Sequence, residues 1–569
     1  MATQPAAAPV LLRSLLVLLP ALRLAGALGG RAAPPPLRPP AASLTADVVV
    51  YGSTPAGVMA AVAAAREGAS VLLLDPRATP VGGMMSGGLA NTDIGTTTAV
   101  LGGLTRAFFE ANCAHYYPSK APCAFFNFEP HVAEQIFLGP SFLGNASLPI
   151  TVSLASRLTS IRKVGATIIS GVTLAGDLID GRYWIDATYD GALLAIAGVS
   201  SAFGRESNET YGESVAGVLP EPHYNATPAE PFTSQGQLWT GLSPFWPNGS
   251  TIPLVTPPPG PVGSGDDRLQ AWNVRITLTN DTANMVQPWP RPASYDPASF
   301  ELLRRYVAMR NATVFEHTGL CCGGTLPAPP GAPFRSKFDV NSQRLDFQGL
   351  NWGYAQAVQT NDFAAQERIL QAHRDFTLGA YYFLQNDPAL PASMRASMSD
   401  FGLPLDEHVA CGHLPCQVYV REALRMVSDF VLTQADVETA VNKSDSVGMG
   451  AYSIDVMHGS TYADAAAGIL QEGGMQAPSF LPKNLVPFQV PLRALLPRRA
   501  EATNLLVPVA LSASHVAFCA VRLEPTWTVL GESAGVAAAL AARTGCDVQD
   551  IDVAALQARQ RAVGQVLEL

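Results

Sequence analysis

Acidic side chains are missing from the first 46 positions of this 569-residue chain. That stretch holds instead an apolar run, SLLVLLPAL (14–22), bounded by Arg13 and Arg23 and followed by the A-x-A pattern Ala25-Gly26-Ala27. Such a leader reads as a signal peptide over residues 1–30; an organelle transit peptide is the competing reading, since Ala-rich, acid-poor leaders with arginine also serve that purpose. The run falls short of the roughly 20 apolar residues that cross a bilayer, so no stable membrane span is expected. Basic stripes are missing too. With 36 Lys and Arg against 46 Asp and Glu the net charge is -10. No Lys/Arg-rich stretch exists to displace counterions from phosphates, which argues against a nucleic-acid partner. The absence of H-E-x-x-H excludes a zincin helix, and no fixed-period repeat or long heptad array suggests a solenoid or a coiled coil.

What is present is the balance of a folded globular protein, with 14% charged and 48% apolar residues. The length exceeds one ordinary core, so two or more packed units are expected. RAAPPPLRPPAAS (31–43) makes residues 31–46 a Pro-rich linker. Seven N-x-S/T sequons, at Asn145, Asn208, Asn225, Asn248, Asn280, Asn311 and Asn442, become surface glycans if the chain is secreted. The eight cysteines are even in number, which suits an oxidising compartment. Cys113 with Cys123 and Cys411 with Cys416 are the locally plausible bridges; buried free thiols are the alternative.

Strand ADVVVYG (46–52), helix TPAGVMAAVAAAREG (54–68) and strand SVLLLD (70–75) spell one βαβ unit. A β-branched apolar run ends in glycine, Pro55 takes a tolerated first-turn position, and Gly68 supplies the stop. Between roughly 200 and 480 the texture changes to Pro- and Gly-rich loops, with helical apolar spacing in FAAQERILQAHRDFTLGAYYFL (363–384) and VYVREALRMVSDFVL (418–432). From LLVPVAL (505–511) through GESAGVAAALAARTG (531–545) strand, turn and small-residue helix return, so the two ends of the chain are expected to share one sheet.

A dinucleotide pyrophosphate needs backbone N–H groups at a helix N-terminus and no side chain in the way. Gly52-Ser53-Thr54-Pro55-Ala56-Gly57 has that pattern with Thr54 in place of the middle glycine. Asp75 ends the second strand about 20 residues on, where a carboxylate accepts from ribose hydroxyls and repels a 2′-phosphate. NADP is therefore disfavoured, while FAD and NAD remain open.

Nine segments then resemble one family in register from about 47 to 545: GSTPAG, VGGMMSGGLANTD (81–93), FEPHVAEQIF (128–137), IDATYDGALLAIAGV (185–199), GRES (204–207), KFDVN (337–341), VYVREALRM (418–426), SVGMGAYSIDVMHG (446–459) and the stretch 504–541. They look like the FAD-dependent oxidoreductases whose bacterial members are often called xanthan-lyase-like. The resemblance implies a glutathione-reductase-like α/β fold: a Rossmann-like FAD-binding domain built from 47–200 and 481–569, with an inserted mixed substrate or cap domain over 201–480. It implies a second glycine cluster along FAD at Gly82, Gly83, Gly87 and Gly88, a strand-end segment at Asp186 and Thr188, and a helix starting at Gly531, Glu532 and Gly535 with its N-terminus towards the flavin.

For the substrate side, His515 and His458 are the candidate bases, because imidazole titrates in the useful range. Arg421 and Arg425, four apart, would share a helix face and clamp a carboxylate or sugar oxygen; an ion-paired face is the plainer alternative. Arg275 joins the candidates, and Arg522 with Glu524 would orient His515 or the flavin or form an internal salt bridge. His408, Cys411, His413 and Cys416 have a compact metal-like spacing, but a bridge between the two cysteines is favoured and no metal is assigned. The expected activity is oxidation of a small polar organic molecule with hydride passing to FAD and electrons to O2 or another diffusible acceptor. A fumarate-reductase-like reductase, or a silent or non-redox flavin-binding secreted module, is the alternative.

Overall fold

The β-branched run after the linker builds the centre of the molecule. In this computed structural model, residues 42–569 are described apart from 79, 96, 220–241, 319, 323, 333–335, 342–348, 440, 465–467 and 477–486. The leader 1–30 and Asn225 thus lie outside the described residues. Strand β1 (Ser43–Tyr51) pairs in parallel with β2 (Val71–Leu74) on one side and with β6 (Leu178–Asp186) on the other. Sequence placed Ser43–Ala46 in the linker, but Ser43–Ala46 match Leu178–Gly181 of the long β6, and that partner extends the strand by three residues beyond the apolar run. The sheet runs β3-β2-β1-β6-β5-β4, with β3 (Ile150–Ser153) parallel and β4 (Leu158–Val164) and β5 (Thr167–Thr173) an antiparallel hairpin. Strand β7 (Leu505–Leu506) adds in parallel to the C-terminal half of β6 through Trp184 and Ile185. Both ends of the chain therefore contribute to one sheet.

Alternation along the strands divides the core in two. Val48 and Val50 join the cluster on one face, Val49 and Tyr51 the cluster on the other. Both faces are thus covered, as parallel strands require. Helix α1 (Pro55–Arg66) covers the first face, followed in the chain by α2 (Gly83–Gly87) and α3 (Gly103–Tyr116). The middle region supplies the long helix α4 (Phe363–Asn386) as its spacing predicts. Residues 418–432 are not helical. Gln417–Met426 are all buried, Tyr419 bridges to Asn273, and Arg425 and Met426 pair with Ala202 and Ser201. A segment buried on every side carries no amphipathic record, so its apolar spacing was misleading.

After β7 come α5 (His515–Val521) and α6 (Glu524–Thr544). Helix α6 lies against α1 at backbone distance. A Cβ on Gly531 would stand 2.2 Å from Ala56 O, and one on Gly535 would stand 2.3 Å from Ala60 O. Disulfides join Cys113 to Cys123, Cys411 to Cys416 and, unforeseen from spacing, the neighbours Cys321 and Cys322. Gly535→Val forces the α1–α6 pair apart, and a loss of about 1–3 kcal/mol of stability is expected, read as a lowered melting temperature against wild type.

Candidate active site

The turn after β1 is built to leave backbone N–H groups facing outward. Gly52 has φ +104°, and a Cβ there would meet Ala187 C and O at 2.8 Å. Thr54 caps α1: its Oγ1 accepts from Gly57 N at 3.2 Å and donates to Ala187 O at 2.7 Å. That double use explains a threonine where a glycine was looked for. Pro55 opens the helix, Ala56 is fully buried, and a Cβ on Gly57 would fall 1.9 Å from Gly52 O. Pro55 has no N–H and Gly57 N is taken by Thr54, so the Ala56 N–H and the helix dipole are what this turn offers an anion.

Asp75 stands at the end of β2. Its Oδ2 accepts from Ser53 N and Ser53 Oγ at 2.7 and 2.6 Å, and its Oδ1 accepts from Arg77 N at 2.8 Å. Oδ1 keeps a lone pair for a ligand hydroxyl. Burial raises the carboxyl's pKa, and the Ser53 bonds oppose that shift. Gly52, Thr54, Asp75, Gly83 and Thr188 line one cleft, whose remaining wall includes Arg77, Tyr189, Asp190, Tyr354, Gln417 and Val420. The last three come from the middle region, and Tyr354 OH donates to Asp190 Oδ2 at 2.9 Å across the cleft wall.

Other expected cofactor residues sit one layer back. Gly82 N donates to Ser53 O at 2.8 Å, a Cβ on Gly87 would touch Gln417, and one on Gly88 would touch Arg275 O. Asp186 is a correction. It is fully buried, and its carboxylate accepts from Thr188 N, Thr188 Oγ1 and Leu194 N at 3.0, 2.7 and 2.8 Å, so it shapes the turn that presents Thr188. Gly531, Glu532 and Gly535 are corrected likewise. Helix α6 starts at Glu524, so Gly531 lies roughly 10 Å along its axis, where it and Gly535 face α1. Glu532 Oε2 accepts from Leu104 N at 2.9 Å, and burial lifts its pKa to about 8. The pentapeptide Gly531–Gly535 also spells G-x-S-x-G, yet Ser533 sits mid-helix with its hydroxyl 2.6 Å from Val447 O and 2.9 Å from Val529 O, which is no nucleophile elbow.

Next to Gln417 and Val420 the chain enters a charged region. Asp93 is open to solvent yet closely surrounded by protein, and the charges of Arg275, Arg522 and Arg421, with Asp339 opposing them, act on its carboxyl. Burial raises its pKa and the three guanidiniums oppose the shift. Arg275 pairs with Asp339 at 2.7 Å, and Arg522 NH2 donates to Asp455 O at 2.7 Å. Arg421 donates to Ala271 O and lies 4.8 Å from the Tyr419 ring centre. Asp93, Tyr419, Tyr452 and Asp455 went unnamed in the sequence reading; position at the end of VGGMMSGGLANTD was the one signal for Asp93.

The expected base and clamp fall elsewhere. His515 and Arg425 do meet, but in a buried network: His515 Nδ1 lies 2.9 and 3.1 Å from the Glu422 carboxylate, His515 N donates to Glu206, and Arg425 pairs with both Glu206 and Glu422. Burial, then the Arg425 charge, push the imidazole pKa down to about 3. His458 is likewise buried and held at about 4, with Arg421 adding to the effect. Neither ring holds a proton near neutrality, so each is a weak general base. Arg425 is enclosed by its own ion pairs and is no substrate clamp. Cys411 and Cys416, half of the metal-like set, are joined to each other.

A glycine-lined anion cradle, an acid with a spare lone pair and an enclosing middle region define a dinucleotide-binding α/β protein. The family model described as FAD dependent oxidoreductase matches residues 47–560, and the chain belongs to that family. It is an FAD-dependent oxidoreductase with a Rossmann-like fold, and its residues fit the cofactor. Besides the cradle, Glu524 Oε2 and Trp527 Nε1 are buried at the start of α6 without partners among the described residues, close to the cleft residue Tyr189. Among solved structures, T. acidophilum thioredoxin reductase is similar at 22% identity over 25% of this chain and 34% of that chain, with TM-score 0.16. Aquifex aeolicus GidA is similar at 17% over 25% of each chain, TM-score 0.19. The 3-ketosteroid dehydrogenase of Rhodococcus jostii RHA1 is similar at 17% over 26% of this chain and 47% of that one, TM-score 0.19. The chain thus spans less than half the length of each. No curated protein matches it. Among the described residues no helix is long and apolar enough to cross a membrane. Asp75→Ala should weaken FAD binding by about 1.5–3 kcal/mol, roughly 10- to 100-fold in Kd, measured by titrating cofactor-stripped protein with FAD.

Proposed function

We propose that this enzyme oxidises a small polar organic substrate held in the charged region around Asp93. The single observation that carries the reading is a solvent-open carboxylate, Asp93, on which the charges of Arg275, Arg522 and Arg421 act, with Asp339 opposing them, and Arg421 directly follows the cleft residue Val420. FAD, when bound, supplies a two-electron acceptor for a hydride and can return the electrons to O2. The protein's own part is to bind, orient and move a proton. Arg275 and Arg522 turn donors towards polar oxygens of the substrate, with Asp339 and Asp455 fixing the guanidinium planes. Asp93, in its carboxylate form, takes the proton from the O–H or N–H next to the carbon that loses hydride. The buried His515–Glu422–Arg425 network holds the wall behind this region in place.

We further propose that the enzyme works in the secretory path or outside the cell. The leader-like N-terminus, the three disulfides and the six described sequon asparagines support this, because five of the six are exposed and Asn145 is half-buried. Reducing nicotinamides are scarce there, which favours O2 as the acceptor over NAD(P)H as a donor. Peroxide formed in step with substrate loss is the expected readout. Reduction of an unsaturated acid by an artificial donor, with no peroxide-forming substrate, would instead favour the reductase alternative, to which Arg275 and Arg522 are also suited.

Asp93→Asn is expected to retain the flavin spectrum and to lose about 10²- to 10⁴-fold in kcat/KM. The base must be ionised, so wild-type kcat/KM falls as pH drops through the Asp93 pKa, which lies above the ordinary aspartate value. That acid limb disappears in the variant; its persistence would assign the proton to another group.

A further inference from the structure

We propose that Glu524 is the charge-compensating residue of this flavoprotein, a buried carboxyl that takes up a proton from solvent when FAD is reduced. Glu524 is the first residue of α6 and is 4% exposed. Its Oε1 accepts from Tyr189 OH at 2.6 Å, and the same hydroxyl accepts from Met84 N at 2.8 Å in the GGMMSGG segment. Tyr189 lines the cofactor cleft, so the carboxyl is one hydrogen bond removed from it. Its Oε2 is buried and has no partner among the described residues. The inference rests on the FAD site and not on the choice of substrate.

The surroundings leave this carboxyl without a counter-charge. Tyr189 faces it from the turn after β6. Tyr419, from the middle region, acts on Tyr189. Arg522, just ahead of α6, is engaged with Asp455, and Glu532, two turns along α6, is bonded to Leu104 N of α3. Among the described residues no charged side chain compensates the Glu524 carboxylate, and the Tyr189 hydroxyl is its side-chain partner. Burial lifts the carboxyl to about 8, and the bond from Tyr189 opposes the lift. The helix N-terminus adds to that opposition.

A hydride carries two electrons and one proton, so its arrival leaves the cofactor with one more negative charge. A nearby carboxylate is destabilised by that charge and a neutral carboxyl is not, so reduction tightens the hold of Glu524 on a proton. Below about pH 8 the group is protonated before and after reduction, and nothing is taken up. Above it the oxidised enzyme carries the carboxylate, and reduction draws one proton from solvent to Glu524. Two electrons, the proton of the hydride and this second proton then balance.

The test is the reduction potential of the FAD-loaded protein against pH, read from flavin absorbance beside a reference dye. Wild type should show a potential that falls more steeply above about pH 8, by one proton per two electrons. Glu524→Gln keeps an acceptor for Tyr189; it should match wild type below that pH and show no added slope above it. Tyr189→Phe removes the bond that favours the carboxylate, so the steepening should move to higher pH. A wild-type plot without the change of slope, or a Gln variant that retains it, overturns the proposal. Should the Gln variant fail to hold FAD, an unmoved break in Tyr189→Phe overturns it equally.

Discussion

Everything else in the molecule hangs on a backbone-to-backbone contact between two helices from opposite ends of the chain. Gly531 and Gly535 of α6 lie so close to Ala56 and Ala60 of α1 that a single added methyl would collide with a carbonyl. That closeness fixes where α6 begins relative to the turn after β1. It thereby sets Glu524 and Tyr189 beside the anion cradle. The sheet repeats the same tie through β7 on β6. The cleft is lined by the N-terminal and middle segments, and the C-terminal segment reaches it one hydrogen bond back, through Glu524 and Tyr189.

The parts legible in the sequence were those where a physical requirement leaves few choices. Val48 to Tyr51, buried on both faces, read as a parallel strand, and the Gly52–Gly57 turn with Asp75 read as a dinucleotide cradle. The misreadings share a cause. Residues 418–426 are buried all round, so their apolar spacing imitated a helix that packing does not allow. Gly531 was placed at a helix start by the family resemblance, whereas here it marks a close helix crossing. Ser43–Ala46 looked like linker because their pairing partner lies on a distant strand, which no local pattern reveals.

The candidate site divides in the same way. The residues expected on the cofactor side depend on local turn chemistry, and Gly52, Thr54, Gly83 and Thr188 line one cleft. Catalytic choices depend on tertiary electrostatics, and there residue type misled. His515 has the side chain usually chosen as a base, but burial and the Arg425 charge keep it from holding a proton. Asp93 is an unremarkable residue in sequence and becomes prominent only because three arginines from separate segments gather around it.

The docking of the middle region over the nucleotide cleft has a consequence for the life of the enzyme. Tyr354, Gln417 and Val420 form part of the cleft wall, and Tyr354 is latched to Asp190. A bound nucleotide would be flanked on that side by residues of the middle region. Loss of colour in an ageing preparation becomes a clock for partial opening of the fold, and cofactor supply during biosynthesis governs how much of the chain matures.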